Sequence, residues 1–299
     1  MYLSFDIGGT FVKYAWMNKN GEIMSEGKFN TPYKTADNLV HKMVSIYEQS
    51  KTEIKGIAIS CPGKIDVHTG IIYYGGALTY LHEKNIASML SDQCRVPVSI
   101  ENDGKCVALA ELWKGAVKDH RHSIVLAFGT GVGGGIIING ELHRGANLEA
   151  GEQSYVMDRI NYQTQEADFV GELASATRMV NRIAKLKGLE INDGIGVFKY
   201  IEAGDPEALV VFNSFCLNVA VQIMNLQYII DPDIFALGGG ISVQPAFLKG
   251  VEQAIKLIKE ANPHHVANPK IVACRFSAAA NLYGALYNFL LQYETLELT

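Results

Sequence analysis

Residues 123–140 read SIVLAFGTGVGGGIIING, and the fold turns on whether these glycines open a helix or lead into a second strand. Ser123 to Phe128 is an apolar run of strand length. Gly129-Thr130-Gly131-Val132-Gly133-Gly134-Gly135 then satisfies the GxGxxG spacing of a dinucleotide-binding dehydrogenase. That fingerprint must open a helix whose N-terminus holds the pyrophosphate. Here Ile136-Ile137-Ile138-Asn139-Gly140 reads instead as a strand from Gly135 to Ile138 and a turn, so a glycine-rich hairpin is predicted. The six glycines of the stretch also argue against a membrane-spanning helix.

Upstream, the first 30 residues repeat the pattern. Leu3 to Ile7, Thr10 to Met17 and Glu22 to Phe29 are strands joined at Gly8-Gly9 and Asn20-Gly21. A helix from about Asp37, with Leu39, Val40, Met43 and Tyr47 on one face, and a strand Gly56 to Ile59 complete a βββαβ order. Downstream of the glycine hairpin a related order recurs. A long helix with Asp205 as N-cap and Pro206 in its first turn ends before Asp231-Pro232, and the strand Ile234 to Leu237 runs into Gly238-Gly239-Gly240. Within that helix, Asn213, Asn218, Gln222 and Asn225 form a polar stripe, which marks a buried helix of a soluble protein. The expected architecture is α/β, two related domains with mixed sheets flanked by helices and ligands in the interdomain cleft. The boundaries predicted are 1–117 and 118–285, with a C-terminal helix at 286–299 completing the first domain.

A chain of 299 residues that is 48% hydrophobic can bury two cores. A net charge of -5 with scattered lysines gives no electrostatic reason to bind nucleic acid or anionic membrane. Five cysteines without a CxxC pair read as reduced thiols of a cytoplasmic protein, and the N-terminus has neither the basic nor the long apolar segment of a secretory signal. No GxxxxGK[ST] P-loop occurs, so phosphates would be held by hairpin backbones.

Four places can carry chemistry. Asp6-Ile7-Gly8-Gly9-Thr10 puts an acid and a hydroxyl beside a turn whose N–H groups can approach phosphate, with Lys13 in reach; an ordinary hairpin gives the same pattern. Glu101-Asn102-Asp103-Gly104 follows the apolar run Val96 to Ile100 and precedes a helix, so either Asp103 is a catalytic carboxylate between strand and helix, or Asn102 or Asp103 merely caps that helix. Gly145 to Glu152 is a polar loop that could hold sugar hydroxyls or lie bare on the surface, and the triple glycine at Gly238 could lie against an adenine ring or form a tight turn.

Taken in order, DIGGT at Asp6, PG at Pro62-Gly63, END at Glu101, GTGVGGG leading to RGANLEAGE over Gly129 to Glu152, and DPDIFALGGGIS over Asp231 to Ser242 resemble the ROK family of repressors, open reading frames and kinases. The resemblance implies an actin-like, ribonuclease H-like fold and an ATP-dependent, magnesium-dependent sugar kinase, a homodimer acting on a small-molecule sugar. It implies that Asp6, Ile7, Gly8, Gly9, Thr10, Lys13, Gly129, Thr130, Gly131 and Gly133 hold phosphates, that Gly238, Gly239 and Gly240 line the adenosine, and that Asp6 meets magnesium through water. It implies that Asn102, Asp103 and Glu152 bind the sugar, with Asp103 taking the proton from its 6-hydroxyl. The family's zinc-binding histidine and cysteine cluster is missing, since Gly151-Glu152-Gln153-Ser154-Tyr155 carries Tyr155 in the histidine's place and no cysteine lies between Cys106 and Cys216. No zinc site is therefore expected. A second family glutamate falls at Glu172, one residue off its usual spacing to Ala174-Ser175. Zinc-less members include β-glucoside kinases, the preferred substrate reading. The alternatives are a free hexose or N-acetylhexosamine kinase and a sugar-sensing regulator, although the first hairpin begins at Tyr2 and leaves no room for a helix-turn-helix before it.

Overall fold

The computed structural model describes residues 1–32 and 35–294. Its first half runs β1 Tyr2–Ile7, β2 Phe11–Met17, β3 Ile23–Asn30, α1 Ala36–Tyr47, β4 Gly56–Cys61, β5 Lys64–Ile65, β6 Ile72–Tyr73, α2 Ile86–Cys94, β7 Val98–Asn102 and α3 Asp103–Lys114. Next come β8 Ser123–Phe128, β9 Val132–Ile138, β10 Glu141–His143, β11 Met157–Ile160, β12 Ala167–Phe169, α4 Val170–Leu173 and α5 Ala176–Lys187. The chain closes with α6 Gly194–Glu202, α7 Pro206–Ile230, β13 Ile234–Gly238, α8 Pro245–Ala261, β14 Ile271–Ala273 and α9 Ala280–Tyr293. Of the helix expected over 286–299, residues 295–299 lie outside the described residues.

The chain divides into two compact units. One comprises Met1–Lys114, Arg144–Ala150 and the segment from Ala278 onward; the other comprises Gly115–His143 and Gly151–Ser277. Each is built on a five-stranded sheet, ordered β3-β2-β1-β4-β7 in the first and β10-β9-β8-β13-β14 in the second. In both, the first two pairings are antiparallel and the last two parallel. The recurrence expected from element order is thus a repeat of strand topology.

In the first unit β1 is buried along its whole length, and strand periodicity divides it between two layers. Leu3, Phe5 and Ile7 enter the core under α1 and α2. Tyr2 packs with α9, the Ser4 hydroxyl donates to Leu282 O at 2.8 Å, and Asp6 receives the Asn281 amide. In the second unit Ile124, Leu126 and Phe128 of β8 pack under α5, α7 and α8. There Phe128 makes edge contacts with Phe215 and Phe247 at 6.2 and 5.4 Å.

α7 is long and apolar enough to cross a membrane by length and composition, yet 56% of its most apolar window is buried within the protein. Its polar positions do not form the single buried stripe expected. Asn218 and Gln222, one turn apart, face inward, whereas Asn213 and Asn225 are exposed. At 100° per residue the first two share a face and Asn213 falls well away from it.

Most strand bounds differ from the sequence reading by one or two residues, and at two strands the difference bears on the site. β7 starts at Val98 and runs to Asn102, because its parallel pairing with β4 continues to Cys61 opposite Asn102. β9 begins at Val132 rather than Gly135, its ladder to β8 starting at Phe128 opposite Val132. Gly133 is therefore a strand residue, and the turn consists of Gly129 to Gly131.

Candidate active site

The candidate residues of the first unit lie at the carboxyl ends of its parallel strands, where open α/β sheets bind ligands. Asp6 sits near the end of β1 opposite Ser60 of β4, and Cys61 at the end of β4 pairs with Asn102 of β7. Two strand spacings separate β1 from β7, which sets the Asp6 and Asn102 backbones about 10 Å apart.

The carboxylate of Asp6 is buried, accepts from Asn281 Nδ2 at 2.8 Å and lies 3.7 Å from Lys13 Nζ. Burial raises its pKa, against the opposing pull of Asn281, Lys13 and Ser60. Lys13, its cross-strand neighbour, also donates to Ala278 O at 3.2 Å, so the sequence-predicted phosphate lysine leans along the carboxylate. The turn after β1 is closed by Gly8 N donating to Phe11 O at 3.0 Å and by the Thr31 hydroxyl donating to Gly8 O at 2.6 Å. Ile7 has its side chain in the core, so only its backbone can serve a ligand.

The question whether Asn102 or Asp103 caps α3 is answered by geometry. Asn102 Oδ1 accepts from Lys105 N at 3.0 Å, which makes it the cap, and Asp103 is the first helical residue. The Asn102 amide also donates to Gly63 O at 2.9 Å and to Asp103 Oδ1 at 3.0 Å. Asn102 therefore fixes both the PG turn and the carboxylate beside it. Asp103 Oδ1 further accepts from Gly104 N at 2.8 Å. The nearness of Asp103 and Asp6 registers on the Cys61 thiol, raised first by burial and then by both carboxylates.

A residue that sequence reasoning missed locks this end of the sheet. Glu101 is 1% exposed. Its Oε2 accepts from Arg144 Nε and NH2, each at 2.8 Å, while its Oε1 accepts from Asn102 N at 2.9 Å. Arg144 also donates to Asn288 Oδ1 on α9 at 3.1 Å. The first residue of RGANLEAGE thus clamps the first residue of END. Lys64, following PG, pairs with Glu149 of the same loop at 2.6 Å.

In the second unit the two glycine turns come together. Gly129 N donates to Gly131 O at 2.9 Å and closes the β8–β9 turn, with Thr130 exposed at its tip. Gly129 O receives Thr177 N at 3.1 Å and the Ser175 hydroxyl at 3.3 Å, which ties the turn to the start of α5. After β13, Gly239 has φ +93°, and a Cβ there would lie 2.1 Å from Phe128 O. Only glycine fits there, so Gly239 is pressed against the end of β8 next to the Gly129 turn, while a Cβ on Gly240 would meet nothing within 4 Å.

Glu152, Tyr155 and Glu172 also converge. Gln153 to Tyr155 form one turn of 3₁₀ helix with Tyr155 N donating to Glu152 O at 3.2 Å. The Ser154 hydroxyl binds Val132 N at 2.8 Å, and Gly171 of α4 packs directly on Ser154. α7 supports this cluster from behind, Gln222 donating to Gln153 Oε1 at 2.5 Å and Asn218 to Leu173 O at 3.0 Å. Glu172 is exposed and pairs with Arg178 at 2.7 Å. Tyr155 is 75% exposed.

Among the described residues no group of three or more His, Cys, Asp or Glu side chains is gathered around a possible metal position. Asp6 fits magnesium of the kind bound with substrate phosphate, which takes one or two carboxylates and keeps several waters. A buried carboxylate whose ionised form burial disfavours gains from such a cation.

The sequence profile of the ROK family matches residues 2–291. The chain belongs to the ROK family. A β-glucoside kinase of Listeria innocua is 30% identical over 295 residues, covering 96% of each chain. A glucokinase of Halalkalibacterium halodurans is 29% identical over 279 residues, 84% of each. The crystal structure of a ROK family protein from Streptococcus pneumoniae TIGR4 in complex with sucrose is 33% identical, with a TM-score of 0.88, and covers 98% of this chain and all of that one. The two units of this ROK chain are accordingly the actin-like fold, mixed sheets flanked by helices.

Proposed function

We propose that this ROK chain transfers the γ-phosphoryl group of ATP to the 6-hydroxyl of a β-glucoside such as cellobiose, giving a 6-phospho-β-glucoside and ADP. The observation that carries the chemistry is the division of labour in END. Asn102 takes the cap, and Asp103 is held at the strand end as a carboxylate. In the reaction Asp103 accepts the 6-hydroxyl proton as that oxygen bonds to the γ-phosphorus, and the bond to the β,γ-bridging oxygen breaks to release ADP. Magnesium beside Asp6 would neutralise charge on the phosphates. Within the second unit the Gly129 to Gly131 turn presents backbone donors suited to phosphate, and Gly238 to Gly240 present a surface without side chains suited to adenosine.

Glu152 is the residue for the sugar's secondary hydroxyls, while exposed Tyr155, in place of a histidine, leaves the carbon-1 side open to a substituent. The choice of a β-glucoside over free glucose is supported by the relative of that name, similar over more of this chain than the glucokinase is. The five thiols favour a cytoplasmic setting, where ATP is at hand.

The test is sugar-dependent ADP release from Mg-ATP against cellobiose, an aryl β-glucoside, glucose, mannose, N-acetylglucosamine and N-acetylmannosamine, with Asp103→Asn alongside. Turnover should be highest with the β-glucosides, and the variant should lose about 10²- to 10⁴-fold in kcat while still binding sugar. Sugar binding without ADP release in the wild type would point to a sensor instead.

A further inference from the structure

Beside the PG turn the chain displays an aromatic surface that the core does not use. Tyr74 is 75% exposed, yet its backbone is held at φ +52°. That left-handed conformation is unfavourable for a bulky residue and persists only where the surroundings impose it. Two contacts do so here. His82 stacks on the Tyr74 ring with centroids 5.0 Å apart and planes inclined by 22°, and its Nδ1 accepts from Tyr74 N at 3.3 Å. Tyr73 meets the other end of the motif, its ring edge-on to His82 at 6.5 Å.

The position of this pair ties it to the sugar end of the site. Gly63 has φ +106°, and a Cβ there would fall 2.6 Å from Tyr74 O and 2.9 Å from Gly75 Cα. The Tyr74 backbone is therefore pressed onto the turn whose carbonyl Asn102 holds. Ala77, three residues on, lies against Gly9 of the first hairpin. The segment 74–77 thus runs from the Asn102–Gly63 contact to the β1–β2 turn, with Tyr74 and His82 at its outer end.

We infer that the stacked Tyr74 and His82 rings form a second subsite, one that receives the ring attached to the phosphorylated glucose, an aryl group or a second sugar. The inference rests on the β-glucoside reading above. A monosaccharide held by Asn102 and Asp103 has its hydroxyls to satisfy and no further ring to place. A glycoside carries a second ring, and the flat face of an exposed, stacked tyrosine is a surface for it. Offset stacking of such rings contributes about 0.5–1.5 kcal/mol, up to roughly tenfold in affinity.

The experiment compares phenyl β-D-glucoside with methyl β-D-glucoside, which share the glycosidic bond and differ in the ring. The ratio of their kcat/KM values is measured for wild type, Tyr74→Ala, His82→Ala and Tyr74→Phe. Tyr74→Ala should lower the phenyl-to-methyl ratio about tenfold, through KM rather than kcat, His82→Ala should lower it less, and Tyr74→Phe should hold it near the wild-type value. A wild type that phosphorylates the phenyl glucoside with a ratio that Tyr74→Ala leaves unchanged overturns the subsite alone. A wild type that phosphorylates free hexose and neither glycoside overturns the β-glucoside reading, and the subsite with it, before any variant is measured.

Discussion

Glu101 has no solvent to stabilise its charge and depends on Arg144 for two hydrogen bonds and on Asn102 N for a third. Removing one partner of a buried ion pair strands the other, at a cost of about 3 kcal/mol or more. Arg144→Met should therefore destabilise the chain by about that amount in urea unfolding, and Glu101→Gln in the same chain should recover part of the loss. Additive losses in the double variant would mean that the two side chains do not support one another. Because Asn102 accepts its backbone geometry from Glu101, Arg144→Lys should restore stability better than Met while sugar KM remains raised, a single ammonium being unable to reproduce the guanidinium fork.

α7 begins at a cap that is also a charge site. Asp205 accepts from Ala208 N at 2.9 Å, and Lys187 of α5 lies 2.7 Å from both Asp205 and Glu207. The Lys187 hydrogen bond, then the Ala208 N–H, hold the Asp205 pKa below the ordinary carboxylate value. A carboxylate with a lowered folded pKa stabilises the fold at pH above its unfolded value of about 4, and that contribution is lost as pH falls through the folded value. Asp205→Asn keeps a capping side chain and removes the charge. Its melting temperature should fall below wild type at pH 7, and the difference should close as pH drops below about 4. A difference that is constant with pH would assign the effect to the cap alone. The same helix carries Gln222 inward to Gln153 and Asn218 to Leu173 O of α4, so its start and its middle do separate work: one anchors the helix, the other the Glu152–Tyr155 turn and the α4 end beside it.

At the scale of the molecule, all five cysteines are thiols, and only Cys274 is not buried. Burial pushes Cys94 up to about 11 and Cys216 up to about 12, and raises Cys61 and Cys106 well above the ordinary thiol value. At pH 8 a thiolate attacks a sulfur of the disulfide reagent and displaces its other half as a thiol, so the native chain should react quickly at Cys274 at most and the unfolded chain at all five; rapid native reaction of two or more would contradict the buried cores described. The sequence by itself determined β1 to β4, β7, β8, β9 and β13, though not the edge strands β10 and β14, together with the hairpin that replaced a Rossmann turn, the Asp205 cap and the two-fold recurrence of element order. These follow from periodicity, turn chemistry and caps, which act within a few residues of chain. It also marked END and RGANLEAGE as sites but left open which END residue caps the helix. What tertiary structure decided is which distant groups meet: Arg144 with Glu101 across 43 positions, Gln222 with Gln153 across 69, Asn281 with Asp6 across 275. It also decided that Asn213 and Asn225 face outward and that Tyr74 is displayed. Such pairings depend on how sheets and helices stack, and side-chain burial is a property of that stacking, which no local stretch of sequence contains.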